Sequence, residues 1–227
     1  MSFFKFPTTP HLSTLSGLKI RDDKVMTPQE RDQFLEQDVL VEEKIDGANL
    51  GISFGESGEA LLQNRGDFLR LPAQGQWNEL EEWLRIRENR LRDVLGSSLI
   101  LFGEWCYAQH SIQYNRLPDW FLAFDIFDKS KERFLSAQRR DTLVQKLALS
   151  SVPKLSAGRF KLPELEKLFG KSRLGDGEAE GIYLRSDEGD WLANRAKLVR
   201  PLFVQSVEEH WSRSALRCNQ LAFEALR

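Results

Sequence analysis

The sequence is short of several things, and each shortage excludes a class of protein. Only two cysteines occur in 227 residues, Cys106 and Cys218. They supply no disulfide framework and no spacing suited to a metal site. No run is both long and apolar enough to cross a bilayer. The opening Met1-Ser2-Phe3-Phe4-Lys5-Phe6-Pro7 has neither the apolar stretch nor the small-residue cleavage site of a secretory leader. A cytoplasmic protein that meets no membrane is the expectation. Internal repeats, low-complexity tracts and Gly/Ser-rich linkers are missing as well. Positive charge is not in excess either: 32 Lys and Arg face 34 Asp and Glu, for a net charge of -2. Non-specific nucleic-acid binders usually carry a basic excess, because each phosphate contact displaces a counterion. Any nucleic acid must therefore meet a local basic surface here.

What is present reads as an ordinary globular chain, with 41% hydrophobic and 29% charged residues. Its length is enough to bury a substantial core, and one domain over residues 1–227 is expected, with a short helical tail from about 204 to 227. Thr27-Pro28-Gln29-Glu30 has the form of a capping box with proline at the first helical position, opening a helix to about Gln37. Val39 to Phe54 is rich in β-formers, and Leu50, Ile52 and Phe54 alternate as one buried face of a strand does. Gly55-Glu56-Ser57-Gly58 predicts a turn into a strand over Ala60 to Asn64. Trp77 to Leu91 is helical by pattern, Leu99 to Trp105 and Trp120 to Phe127 are buried strands, and Ser136 to Leu149 is a helix with a serine cap. A shorter helix over Leu162 to Phe169 closes on Gly170. Ile182 to Arg185 and Trp191 to Val199 pair through Asp187-Glu188-Gly189-Asp190 as a hairpin. From about Ser206 a helix is expected to pack through Val207, Trp211, Leu216 and Leu221, with Arg213 and Arg217 solvated. Strands joined by turns favour an antiparallel α+β architecture over a doubly wound one.

The most informative stretch is Glu42-Glu43-Lys44-Ile45-Asp46-Gly47-Ala48-Asn49. A lysine among carboxylates in a buried strand asks for a reason, because an unpaired buried charge costs several kcal/mol. One reason is nucleophilic catalysis by an amine of lowered pKa. Alone, a Lys-x-Asp-Gly tetrapeptide is more often a strand-end lysine paired with its neighbours. Its company changes the reading. Lys44-Ile45-Asp46-Gly47 resembles the first signature of the covalent nucleotidyltransferases, the DNA ligases, RNA ligases and mRNA capping enzymes. Arg65 in Asn64-Arg65-Gly66, Phe102-Gly103-Glu104, Ala123-Phe124-Asp125-Ile126-Phe127, Glu180-Gly181-Ile182-Tyr183 and Arg195-Ala196-Lys197-Leu198-Val199-Arg200 follow in the family's order. His110-Ser111-Ile112-Gln113-Tyr114 with Leu117-Pro118-Asp119, and the opening Phe6 to Leu12, are similar to features of phage- and bacterial-type RNA ligases.

The resemblance implies a fold and a set of roles. The fold would be a ligase-type adenylation domain, with two antiparallel sheets flanked by helices and an ATP cleft between them. Lys44 would attack ATP and form a lysyl-AMP intermediate, with magnesium or manganese, Lys197 and Arg195 opposing the carboxylates of Glu42 and Asp46 that favour its protonated form. Arg195 and Lys197, two apart on a strand, would both point into the cleft and hold the α-phosphate. Glu43, Ile45, Asn49, Arg65, Glu104 and Phe124 would complete the ATP site. Glu104 would accept from the ribose, although a solvent-exposed glutamate at a strand end has the same sequence signature. Phe124 would stack on the base, with Phe121 and Phe127 as near competitors. Glu180 and Asp46 would hold the metal ion as hard oxygen ligands, although residues 175–180 also read as an acidic loop. Arg65, His110 and Arg200 would meet the nucleic acid, its partner with 5'-phosphate and 3'-hydroxyl ends. His11, His110 and His210 form no cluster. Two departures matter: arginine stands at 195 where the family usually has lysine, and 27 residues follow Arg200, where DNA ligases and capping enzymes carry an OB fold. An RNA ligase without an OB-fold domain is the expectation. A DNA nick ligase, a stand-alone adenylyltransferase and a nucleic-acid-binding module of the same fold are the alternatives, and a protein partner is left open.

Overall fold

The structure, a computed structural model, describes residues 3–15, 25–200 and 216–223. Thr27 Oγ1 accepts from the Glu30 backbone N–H at 3.3 Å, and the Glu30 carboxylate accepts from the Thr27 N–H at 2.8 Å. This reciprocal cap, with proline next, starts α1 (Pro28–Leu35). Then β1 (Val39–Lys44) and β2 (Ala48–Phe54) follow with only Ile45, Asp46 and Gly47 between them.

Those three residues cross from one sheet to another. In the first sheet the order is β11-β10-β1-β9, with β9 at Lys154–Gly158, β10 at Gly181–Glu188 and β11 at Trp191–Val199, all antiparallel. In the second the order is β4-β3-β2-β5-β6-β7, from Phe68–Leu69, Ala60–Gln63, β2, Leu99–Trp105, Phe121–Asp128 and Arg133–Phe134. The short β8 (Ser150–Ser151) adds to β6 in parallel.

Each sheet turns one face to helices. The alternation at Leu50, Ile52 and Phe54 puts these side chains under α2 (Leu80–Leu95), against its Leu80, Trp83, Leu84 and Leu91. Val144 of α3 (Ala137–Lys146), capped by Ser136, closes the same core. On the first sheet Val39, Val41, Ile182, Leu184, Ala196 and Leu198 pack with Leu12, Phe34 and Leu165, the last from α4 (Leu162–Glu166). Burial of each such side chain contributes about 1.5–3 kcal/mol. The other faces of the two sheets meet. At one end the space between them is filled by Phe6, Phe102, Phe127 and Phe134; at the other it is polar.

The architecture is the expected α+β one. None of the described helices is long and apolar enough to cross a membrane. One correction concerns the tail. Its residues 204–215 and 224–227 lie outside the described residues, including Val207, His210, Trp211 and Arg213. The described part, 216–223, is not α-helical: Cys218 bridges to Ala108 and Leu221 to Leu117, and Leu216 is exposed. Its backbone bonds go outward, to Tyr107, Tyr114 and Leu117, instead of along its own chain.

Candidate active site

Lys44 is the last residue of β1, paired across the ladder with Gly181. Strand alternation puts Glu42 and Lys44 of β1, Tyr183 and Arg185 of β10, and Arg195 and Lys197 of β11 on the face turned to the second sheet. Two glycines permit the approach. A Cβ on Gly47 would lie 2.9 Å from the Trp105 carbonyl oxygen, and one on Gly181 would lie 2.2 Å from that of Leu198.

Two recesses meet at Lys44. An open bay of about 380 Å³ is lined by Asp46, Asn64, Arg65, Gln76, Trp77 and His110. A narrower slot of about 110 Å³ runs between the sheets past Phe6, Thr8, Phe124, Val152, Tyr183 and Lys197. Lys44, Ile45, Asn49, Arg65 and Glu104 line both. Asn49 of β2 and Glu104 of β5 are cross-strand neighbours. Asn49 Oδ1 and Glu104 Oε2 are buried and find no hydrogen-bond partner among the described residues.

The charges are uneven. Lys44 Nζ donates to Glu180 Oε2 at 2.6 Å. Burial works against the ammonium, but Glu180, then Glu104 and Asp46, outweigh it and raise the Lys44 pKa above its ordinary value. The lysine is therefore a cation as the site stands. Burial pushes the Glu104 carboxyl up to about 8, against the attraction of Lys44 and Arg65. His110 Nε2 lies 3.0 Å from Gln76 Oε1, and burial lowers its pKa.

Beneath the slot lies a buried charge network. Arg140 of α3 clasps Glu42 with two bonds, at 2.6 and 3.2 Å, both side chains having no exposure. Arg185 pairs with Asp125 at 3.0 Å. The strand β6 carries a bulge opposite Phe102 and Gly103 that leaves Phe124 as the extra residue. Its ring then lines the slot while its carbonyl accepts from Arg140 at 2.7 Å and Arg185 at 3.2 Å.

The structure thus brings Lys44, Ile45, Asn49, Arg65, Glu104, Phe124, Glu180 and Lys197 together, with His110 in the bay. Four expectations change. Arg195 shares the face of Lys197 but sits one pleat further from Lys44, against Asp125 at 3.0 Å and over the Phe134 and Phe6 rings at 4.2 and 4.8 Å. It holds the sheets together there and does not line the cleft. Glu43 is among the residues lining the slot, but its carboxylate turns to the opposite face, where Ser172 Oγ donates to it at 2.5 Å and the Arg173 N–H at 2.9 Å. Arg200 is engaged with Glu178 at 2.5 Å, the Gly170 carbonyl and the Phe169 ring, away from the bay. Glu42 is committed to Arg140, and the groups that chiefly raise the Lys44 pKa are Glu180, Glu104 and Asp46.

Asp46 lines the bay, but its Oδ2 already accepts from the Ser111 and Ile112 N–H groups, at 2.7 and 3.2 Å. Among the described residues no group of three His, Cys, Asp or Glu side chains could hold a metal ion. The donor set fits a hard divalent ion only in the manner of magnesium, through one carboxylate such as Glu180 completed by substrate phosphates and water. Sequence reasoning missed Arg140, Asp125 and Arg185. The signal for the last two was available, since charges inside apolar strands need partners.

A family model described as RNA ligase matches residues 37–199. Among solved structures the chain is similar to forms of a Naegleria gruberi RNA ligase. For one mutant solved with ATP and Mn the TM-score is 0.66 at 20% identity, covering 91% of this chain and 61% of that one. For a form solved with PPi the TM-score is 0.62 at 22% identity, covering 92% and 65%. At this identity the likeness concerns the fold, and the chain spans about 60% of the length of the first of these structures. No curated protein matches the chain.

Proposed function

The chain belongs to the RNA ligase family, and from that premise we propose that it is an ATP-dependent RNA ligase working through lysyl-AMP on Lys44. The observation that carries this reading is a lysine amine at the junction of two recesses, 2.6 Å from Glu180 and beside two buried oxygens that lack partners among the described residues. A nucleotide supplies what they lack. Ribose hydroxyls donate to Glu104 and Asn49, the base lies in the slot against Phe124, and the phosphates lie at its mouth between Lys197 and Arg65.

In the first step the Lys44 amine attacks the α-phosphorus. The N–P bond forms as the P–O bond to pyrophosphate breaks. The amine must first lose a proton, which passes to water in the open bay, because Glu180, to which the amine is hydrogen-bonded, would be the ligand of the metal ion. A magnesium or manganese ion, held by the phosphates with Glu180, would supply positive charge that lowers the Lys44 pKa and offsets charge on the departing pyrophosphate. Lys197 and Arg65 stabilise the phosphoryl oxygens by position and charge. AMP then passes to a 5'-phosphate end, and a 3'-hydroxyl displaces it to seal the strand. The bay, with Asn64, Arg65, Gln76 and His110 in its wall, is where the strand end meets Lys44.

Intact-mass measurement after incubation with magnesium and ATP, GTP or NAD tests the reading. The expected result is an added AMP from ATP on the wild type and none on Lys44→Ala. No adduct with any nucleotide, on folded protein first stripped with pyrophosphate, refutes it.

A further inference from the structure

The ladders hold β1 up to Lys44 and β2 from Ala48, so the link Ile45-Asp46-Gly47 has to be held by something else. Its central peptide is held from one direction. The Asp46 N–H donates to Tyr114 Oη at 2.8 Å, while Asp46 Oδ2 caps the N–H groups of Ser111 and Ile112. Tyr114 has no exposure and packs among Ile45, Cys106 and Leu117.

Tyr114 is itself held by the C-terminal segment. Its N–H donates to Asn219 Oδ1 at 2.8 Å, and its carbonyl accepts from the Gln220 N–H at 2.9 Å. Asn219 is buried, and its amide nitrogen donates to the Cys106 carbonyl at 2.8 Å and that of Ala108 at 3.2 Å. The Asn219 N–H donates to the Tyr107 carbonyl, and the Leu117 N–H donates to that of Gln220. Residues 216–223 thus strap residues 106–117, and one hydroxyl passes that constraint to the peptide two residues beyond the lysine.

We propose that Tyr114 and Asn219 are positioning residues for the Lys44 nucleophile, fixing the link between the sheets so that the amine approaches in line. The inference rests on the reading of Lys44 given above. Neither residue itself lines either recess; both act from behind the wall, through the Asp46 peptide. In-line attack is sensitive to such placement, a shift of about 1 Å being able to cost about a hundredfold in rate.

The test is single-turnover adenylylation of the full chain with α-labelled ATP and magnesium, on wild type, Tyr114→Phe, Asn219→Asp and Lys44→Ala. Tyr114→Phe removes one oxygen and nothing else. Asn219→Asp keeps the acceptor for Tyr114 and sets a carboxylate against the two carbonyls that the amide now serves. The expected result for Tyr114→Phe is a maximal rate about ten- to a hundredfold lower. Its half-saturating ATP stays within about threefold, as for the loss of an interaction specific to the transition state. Asn219→Asp gives the same split between rate and affinity, and decides the matter if Tyr114→Phe does not fold. A folded variant that labels at the wild-type rate constant, with only a lower melting temperature or a smaller active fraction, reduces the residues to structural roles and overturns the inference. If wild type labels, Lys44→Ala does not and the two variants match wild type, this inference alone fails. If folded wild type does not label, it falls together with the ligase reading.

Discussion

Replacing Arg140 by methionine should be among the most damaging single changes near the slot, and its partner's replacement should undo most of the damage. Arg140 and Glu42 are both without exposure, and two of the guanidinium's bonds go to that one carboxylate. Arg140→Met leaves Glu42 as an uncompensated buried charge, for which the cost is about 3–5 kcal/mol. In a domain of this size each kcal/mol moves the melting temperature by about 2–4 °C, so a fall of about 6–20 °C is expected. The double variant Arg140→Met, Glu42→Leu removes the orphan charge. Apolar replacement of a buried pair is commonly neutral or stabilising, so most of the loss should return. The Phe124 carbonyl keeps Arg185 as a donor at 3.2 Å in both variants. A second signature separates this account from a simple loss of packing. An unpaired buried carboxylate favours its protonated form, so the single variant should recover stability as the pH falls, and the double variant should not. Thermal and urea unfolding of the nucleotide-free proteins between pH 5 and 8 reads both effects. A single variant within about 1 kcal/mol of wild type, or a double variant as unstable as the single, would refute the reasoning.

Other outcomes follow from the same geometry. Glu104 holds its proton up to about pH 8 in the folded chain, against an ordinary value of 4.5. The folded state therefore binds the extra proton between these values, and stability falls as pH rises through that window, by at most about 1.4 kcal/mol per unit. Glu104→Gln should lose that slope in metal- and nucleotide-free denaturation, and equal slopes would contradict the burial argument. Arg195→Gln should slow Lys44 adenylylation by less than about tenfold, because Asp125 keeps Arg185, whereas Lys197→Gln should cost about a hundredfold or more. Rapid-quench rates that rank the two in the opposite order would return Arg195 to the phosphate. Gly47→Ala places a methyl group 2.9 Å from the Trp105 carbonyl oxygen and should destabilise the fold by about 1–3 kcal/mol, measured by urea unfolding.

What could be read from the sequence is what a single strand or helix expresses by itself. Leu50, Ile52 and Phe54 announced their face through a period of two, and Thr27 with Glu30 announced a helix start through local bonds. Lys44 stood out because a lysine among carboxylates in a buried strand asks for a reason, whereas Glu104 and Glu180 were marked only by the resemblance to the nucleotidyltransferase signatures; the three do converge on one point. Register between strands is not local, and the misplaced residues failed there. Arg195 and Lys197 do share a face, but only the ladder from β1 through β10 to β11 says that Lys197 stands opposite Tyr183 and Glu42 while Arg195 stands opposite Arg185. One pleat separates a place beside the nucleotide slot from a place in the phenylalanine cluster. Arg140 gave no signal, since on an amphipathic helix an arginine reads as solvated until a carboxylate 98 residues away claims it. The C-terminal segment misled for a related reason. Val207, Trp211, Leu216 and Leu221 were expected to form the packed face of a helix, yet around Asn219 the backbone bonds run to residues 107–117. There the partners that decide the conformation are supplied by another part of the chain, beside the peptide that follows the nucleophile, and a periodic pattern carries no information about them.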